Sequence, residues 1–392
     1  MNVRKSHLWS GLILLIGLFF LIGCGELVTT PAVDVGPVVE IAAFKTTTAH
    51  PTCTVPPVSN PTPTAGPTVC IVGLSSEACA TLQSLKQVDD YPLYTMHYYG
   101  EYGRANQADT TAAQYTTDEL KSSGPAWGCS LFAAYTAGES GLFGRNFDWR
   151  YSPAVLLFTD PPGGYASVSM VDIAYLVSES DVHDLEGLPL EARLPLLEAP
   201  FWPFDGMNEH GLVVGMAAVP AGQGAPDPDK ESIDSLIVMR KMLDGARDVD
   251  EALEIFSGYN VDMGEGPPLH YLIADASGRS MLLEFFEGQL VILPNDTNWQ
   301  QMTNFLRASA GETAEGQCWR YDRMEEQLGE REGSLSDQEA IDLLEGVAQA
   351  NTQWSIVYGM NTGEINVIMD RQYETVHTFQ LGVNSAPKGR WP

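Results

Sequence analysis

The chain has 392 residues, 44% of them hydrophobic, and can bury a sizeable core as one large domain or two. Its formal charge is −30, from 21 Lys and Arg against 51 Asp and Glu, which argues against a nucleic-acid partner because phosphate binding needs a basic surface. The seven histidines are scattered and no Cys or His pair has metal-ligand spacing, so no metal and no other cofactor is expected.

Residues 1–23 read as a targeting segment. Arg4 and Lys5 form a positive start, and Leu12 to Ile22 form an apolar stretch too short to span a bilayer. Its ending, Leu21-Ile22-Gly23-Cys24, resembles the lipobox of bacterial lipoproteins. That resemblance implies cleavage before Cys24, a diacylated Cys24, and export to the bacterial cell envelope with the chain anchored to a membrane by its N-terminal lipid. Residues 24–80 are rich in Pro and Thr, as in Pro61-Thr62-Pro63-Thr64, and read as an extended tether. Cys53, Cys70 and Cys79 lie in or just after it, where an oxidising compartment permits disulfides. Pairing among these three and the isolated Cys318 is open. Residues 81–128 precede the main domain, 129–392. Within them the run Leu85 to Tyr99 is too aromatic for a linker and is expected to pack onto that domain.

At Gly128-Cys129-Ser130 an apolar run begins and continues to Tyr135. A Gly-flanked turn, Ala137 to Gly141, returns the chain through Leu142-Phe143 to Gly144-Arg145-Asn146-Phe147-Asp148-Trp149. A hairpin here brings its far ends together, so Arg145 and Asp148 are expected beside Cys129. A cation beside a thiol favours the thiolate, which makes Cys129 the candidate nucleophile.

Further strands are expected at Ala154–Thr159, Leu212–Ala218, Tyr271–Ala274, Met281–Phe286, Leu290–Leu293, Ser355–Tyr358, Ile365–Met369 and His377–Leu381. Ile233, Leu236, Ile237 and Leu243 suit one helix face, and Ile341, Leu344 and Val347 another, the latter opened by a capping box from Ser336 to Glu339. A third helix is expected from Trp319 to Leu328. Strands in consecutive groups with helices between them predict an α+β layered domain.

Cys129, Arg145 sixteen residues later and Asp148 nineteen residues later resemble the linear-amide C–N hydrolases of the N-terminal-nucleophile class. This group includes choloylglycine hydrolase, penicillin V acylase, acid ceramidase and the isopenicillin-N acyltransferase-like branch. Gly206-Met207-Asn208-Glu209-His210-Gly211-Leu212 is similar to the family's Asn-Glu-x-Gly-Leu turn, Thr303-Asn304 to its Thr-Asn pair, and Trp319-Arg320-Tyr321 to its late arginine segment. The resemblance spans Trp127 to Leu381.

It implies a four-layer αββα sandwich whose nucleophile is exposed by self-cleavage at Gly128-Cys129. The freed α-amine, with a reference pKa near 8, would serve as base for the adjacent thiol. Gly128, lacking a Cβ, would tolerate the strained backbone of an N-to-S acyl shift. Asp148 would hold the new ammonium, Arg145 the thiolate or substrate carbonyl, and Asn304 the oxyanion, with Arg320 facing the site and ordering its polar groups. One position departs from the bile-salt and penicillin branch, which often carries a polar residue ten positions after the turn asparagine. Here Ala218 stands there and can offer only its backbone N–H. Asn208 and Glu209 are expected to shape a turn, and Leu156–Tyr165 and Phe201–Phe204 are candidate walls of an acyl pocket. The expected partner is a small-molecule amide. An acyltransferase and a non-catalytic lipoprotein binding module are the alternatives.

Overall fold

The computed structural model describes residues 70–102, 128–136, 140–178, 182–264, 266–310 and 314–383, all within one compact unit, Val38–Pro392. The targeting segment, Cys24, Cys53 and the tether up to residue 69 lie outside the described residues. In chain order the elements begin with α1 (Ser76–Gln83), β1 (Lys86–Asp89), β2 (Leu93–Tyr98), β3 (Gly128–Thr136), β4 (Ser140–Asp148), β5 (Ala154–Thr159) and β6 (Ser167–Asp172). They continue with β7 (Asp205–Asn208), β8 (Val213–Ala218), β9 (Ser232–Asp234), α2 (Ile237–Gly245), α3 (Val249–Ser257), β10 (Asn260–Asp262), β11 (Leu269–Ala274) and β12 (Ser280–Phe286). The last are β13 (Gln289–Pro294), β14 (Trp299–Met302), α4 (Trp319–Glu330), α5 (Asp337–Gly346), β15 (Thr352–Gly359), β16 (Glu364–Met369) and β17 (His377–Gln380).

Two large sheets result. One has six strands in the order β14-β3-β4-β15-β16-β17, the other nine in the order β1-β2-β5-β6-β7-β8-β11-β12-β13. Side chains alternate along a strand, and β3 uses both faces. Leu131, Ala133 and Tyr135 pack between the sheets with Phe143, Ile356, Val214 and Met216. Phe132 and Ala134 pack the other way, with Val357, Ile368 and the α4 and α5 residues Met324, Leu328, Ile341 and Leu344. The nine-stranded sheet is covered on its outer face by α2 and α3, through Val238, Met242 and Phe256, and by α1. The layers run helix, sheet, sheet, helix: the αββα sandwich expected.

Strand positions agree with the pattern reading to within three residues at each end. The α5 capping box forms, the Ser336 hydroxyl receiving Glu339 N–H while the Glu339 carboxylate receives Ser336 N–H. One helix expectation needs correction. Ile233 lies in the short strand β9, paired with β10, and the helix starts only at Ile237, because the Asp234 carboxylate ties down the N–H groups of Leu236 and Ile237 ahead of the first turn. The turn after β7 shows why Gly211 is glycine: its φ is +75°, and a Cβ there would lie 2.0 Å from the Met360 carbonyl. Asn208 builds that turn, receiving His210 and Leu212 N–H and donating to the carbonyls of Leu243 and Ala246.

The segment ahead of Cys129 is part of the nine-stranded sheet. Strand β2 pairs in parallel with β5 from Leu93↔Ala154 to Tyr98↔Thr159. Leu82, Leu93, Tyr94 and Met96 are fully buried. Tyr91 donates its hydroxyl to Gln353 Oε1 at 2.7 Å, and His377 Nε2 stands 2.6 Å from Asp89 Oδ2. Cys70 and Cys79 form a disulfide within this segment, and Cys318 is buried elsewhere. Among the described residues no helix is long and apolar enough to cross a membrane.

Candidate active site

Cys129 is the second residue of β3, and the hairpin register sets its surroundings. Phe147 lies directly opposite, Arg145 opposite Leu131, and Asp148 opposite Gly128. Alternation then sends Cys129, Arg145 and Phe147 into the space between the sheets, and Ser130, Asn146 and Asp148 toward α4 and α5. Arg145 Nη2 is 3.7 Å from Cys129 Sγ. Its Nη1 donates to Asp205 Oδ2 at 2.6 Å and to the Phe204 carbonyl, while Tyr358 donates its hydroxyl to Asp205 Oδ1 at 2.6 Å. All three side chains are fully buried.

The expected thiolate does not follow from this geometry. Burial pushes the Cys129 thiol above the ordinary cysteine range, and the opposing pull of Arg145 is smaller. The nearby Asp148 carboxylate adds to that push, while Asp205 pairs with the guanidinium from its other side. The thiol keeps its proton.

Asp148 sits opposite Gly128, on the side of α4 and α5. Its carboxylate receives the Thr352 hydroxyl at 2.5 Å and the Gln349 amide at 2.6 Å, with Arg320 Nη1 at 3.5 Å. Burial nevertheless pushes its carboxyl upward, with Arg320 opposing. The amide N–H of Cys129 is held by Asn304, whose Oδ1 accepts it at 2.7 Å. An i, i+3 pair on a strand points to opposite faces, so Arg145 and Asp148 cannot both reach over the thiol.

Asn304 follows β14 by two residues. Its Oδ1 also accepts Arg320 Nη2 at 2.8 Å, and its Nδ2 donates to the Ala218 carbonyl at 2.8 Å. Arg320, 2% exposed, donates Nη1 to the Cys129 carbonyl at 2.5 Å and to the Ser130 hydroxyl at 2.9 Å. Ala218 lies opposite Leu269, next to the bonded pair in which Val219 N–H donates to the Pro268 carbonyl at 2.8 Å. In an antiparallel ladder this phase turns both the N–H and the carbonyl of Ala218 away from β11. The N–H therefore lies on the same edge as the carbonyl that Asn304 binds. One proton of Asn304 Nδ2 and the Ala218 N–H can converge on a developing oxyanion.

Gly128 has extended strand backbone. Its missing side chain leaves room here: a Cβ would lie 2.3 Å from Gln349 Nε2 and 3.3 Å from Asp148 Oδ2. An aromatic path leads outward from Cys129. Phe147 contacts Phe204 at 5.3 Å, Phe204 contacts Tyr175 at 5.7 Å, and Tyr175 stacks on the half-buried Trp202 at 5.4 Å. Of the two expected pocket walls, Phe201–Phe204 thus reaches the site, while Leu156 to Phe158 are core residues of β5. Pattern reading missed Asp205, Ser130, Gln349, Thr352 and Tyr358. The polar run Gln349 to Gln353, set between an apolar helix and an apolar strand, was the available signal for two of them. Among the described residues no group of three or more His, Cys, Asp or Glu side chains could hold a metal ion.

Residues 129–310 match the model of the family described as linear amide C–N hydrolases, choloylglycine hydrolase family. An uncharacterized protein of Paramecium bursaria Chlorella virus 1 is 36% identical over 100 residues, which cover 23% of this chain and 36% of that protein; the match thus spans about a third of that relative's length. Among solved structures, a mutant conjugated bile acid hydrolase from Clostridium perfringens is similar at 18% identity and a TM-score of 0.48, over 64% of this chain and 92% of its own. Penicillin V acylase from Agrobacterium tumefaciens is similar at 18% identity and a TM-score of 0.42, over 66% and 93% of the two chains. Over residues 129–310 the chain is thus similar to the choloylglycine hydrolase family of linear amide C–N hydrolases.

Proposed function

We propose that the protein is a cysteine amidohydrolase that cleaves a linear, non-peptide amide through a thioester and is activated by self-cleavage between Gly128 and Cys129. The observation that carries this reading is the convergence on one cysteine of Arg145 at its sulfur, Asn304 at its nitrogen and Arg320 at its carbonyl. In the activating step Cys129 Sγ attacks the Gly128 carbonyl, the C–N bond breaks, and water hydrolyses the thioester. The products are a carboxylate on Gly128 and a free α-amine on Cys129.

That amine supplies what the uncut chain lacks. It takes the thiol proton, and the thiolate attacks the substrate carbonyl. Asn304 Nδ2 and the Ala218 N–H receive the oxyanion, and one such donor is worth roughly 3 kcal/mol. Arg145, locked by Asp205 and the Phe204 carbonyl, holds the sulfur in place. The leaving amine departs with the proton, and water releases the acid from the thioester. The chain is further proposed to be exported and anchored through a lipid on Cys24, on the strength of its first 24 residues.

Mass spectrometry of the purified protein tests the mechanism. A new N-terminus at Cys129 together with amidase activity is expected; an intact chain with full activity would refute self-cleavage.

A further inference from the structure

Two fully buried ionisable side chains stand outside this mechanism yet touch the loop that carries Asn304. His270 is on β11 and Glu284 on β12, both with no exposed surface. Extending the β11–β12 register by one residue places them directly opposite each other, and His270 Nδ1 is 3.0 Å from Glu284 Oε1. The other ring nitrogen, Nε2, is 2.7 Å from the Thr303 carbonyl. Beyond Asn304, Arg307 N–H donates to Glu284 Oε1 at 2.9 Å and Ala308 N–H to Oε2 at 2.8 Å.

We propose that His270 and Glu284 are positioning residues: a buried clamp that grips the Asn304 loop on both sides and aims the Asn304 amide at the oxyanion. This rests on the amidohydrolase reading above. Three backbone groups of the segment Thr303 to Ala308 end on the pair, one before Asn304 and two after it. Both ring nitrogens are engaged, Nδ1 by the Glu284 carboxylate and Nε2 by the Thr303 carbonyl. The carboxylate in turn meets the ring and accepts two backbone N–H groups, filling three of its roughly four lone-pair sites. A buried polar pair contributes little to stability compared with apolar packing. What this one adds is a fixed place for the loop. The Asn304 side chain is held from the opposite direction by Ala218, Cys129 and Arg320, so a backbone shift on the clamp side would rotate the amide against those partners. Misplacement by about 1 Å is enough to lower a rate on the order of a hundredfold.

Two measurements on Glu284→Gln and His270→Gln test this. The first is hydrogen–deuterium exchange of peptides spanning residues 303–308. Faster exchange there, with the remaining strands unchanged, is expected; unchanged exchange in both variants overturns the clamp. The second is kinetic, on chains verified to begin at Cys129. The expected result is a fall in kcat of about ten- to a hundredfold with KM within about twofold, because the oxyanion contact exists only in the transition state. In an Asn304→Ala background, Glu284→Gln should lower kcat no further. Undiminished kcat, or an effect that multiplies with Asn304→Ala, overturns the positioning role even if the loop loosens. A wild type inactive on every amide would instead overturn the amidohydrolase reading, while exchange would still judge the clamp.

Discussion

Replacing Gly128 by alanine tests the arrangement ahead of the nucleophile most directly. The new methyl would stand 2.3 Å from Gln349 Nε2, more than 1 Å inside the ~3.5 Å of an ordinary contact. Its distances to Asp148 Oδ2 and Arg320 Nη2, 3.3 and 3.5 Å, are tolerable. The Gln349 amide must therefore leave Asp148, to which it donates at 2.6 Å. A hydrogen bond to a charged group contributes about 1.5–3 kcal/mol, and reduced backbone freedom returns about 0.4–1 kcal/mol. The net loss of about 1–2 kcal/mol should slow self-cleavage roughly five- to thirtyfold. Gln349→Ala alone should slow it by a similar factor, since it removes the same bond. In the double variant the methyl has room, so Gly128→Ala should add nothing to Gln349→Ala. Sampling a cell-free translation and weighing the fraction that begins at Cys129 gives the rates. Wild-type cleavage in Gly128→Ala, or two effects that multiply in the double variant, would show that Gln349 does not set the requirement for glycine.

Burial holds the Cys129 thiol above its ordinary range before the cut, so iodoacetamide labelling of uncut chains should rise only as pH passes that range; rapid labelling of uncut chains at pH 7 would contradict it. Asp172, fully buried, is pushed by burial from 3.8 to about 7. A raised carboxyl lends stability that is complete below about pH 4 and lost as pH rises through about 7. Urea titrations should accordingly show wild type losing roughly 4 kcal/mol relative to Asp172→Asn over that window, and parallel profiles would refute it. Asp205→Ala strands the buried Arg145 charge and should destabilise the fold by about 3–5 kcal/mol in chemical denaturation, whereas Asp250→Ala, at an exposed pair, should cost well under 1 kcal/mol. Tyr94→Ala empties a fully buried site on the segment ahead of the cut and should cost about 3–5 kcal/mol, read as loss of co-elution of the two cleaved fragments on size exclusion.

Much of this was legible in the chain because strand alternation and hairpin register are local. Cys129, Phe147 and Arg145 share a face through the pairing of two neighbouring strands, and spacing along the sequence was enough to bring them together. The same logic, carried one step further, would have separated Asp148 from Arg145, because residues three apart on a strand point to opposite faces. Charge was harder to read. Whether Arg145 activates a thiol depends on what lies behind it, and Asp205 is sixty residues away in sequence, on a different sheet, with no pattern linking the two. Gln349 and Thr352 illustrate the same limit: polar residues in a loop look solvated until the fold presses them against Gly128 and Asp148. The strands ahead of Cys129 were visible only as an aromatic run, since β1 and β2 are short and their pairing with β5 is parallel and distant.

That distant pairing bears on how the molecule could be rebuilt. Before the cut, β2 finds β5 within one chain, and refolding is a first-order event. After the proposed cut, the same ladder would join two chains, and the Cys70–Cys79 disulfide, lying wholly on one of them, would not reconnect them. Recovery from denaturant would then become second order, slowing as the protein is diluted, while the native pair would persist for as long as its barrier to opening is high. Maturation in this protein would thus exchange a reversible fold for a kinetically held one, and the mature form would carry a memory of having been assembled as a single chain.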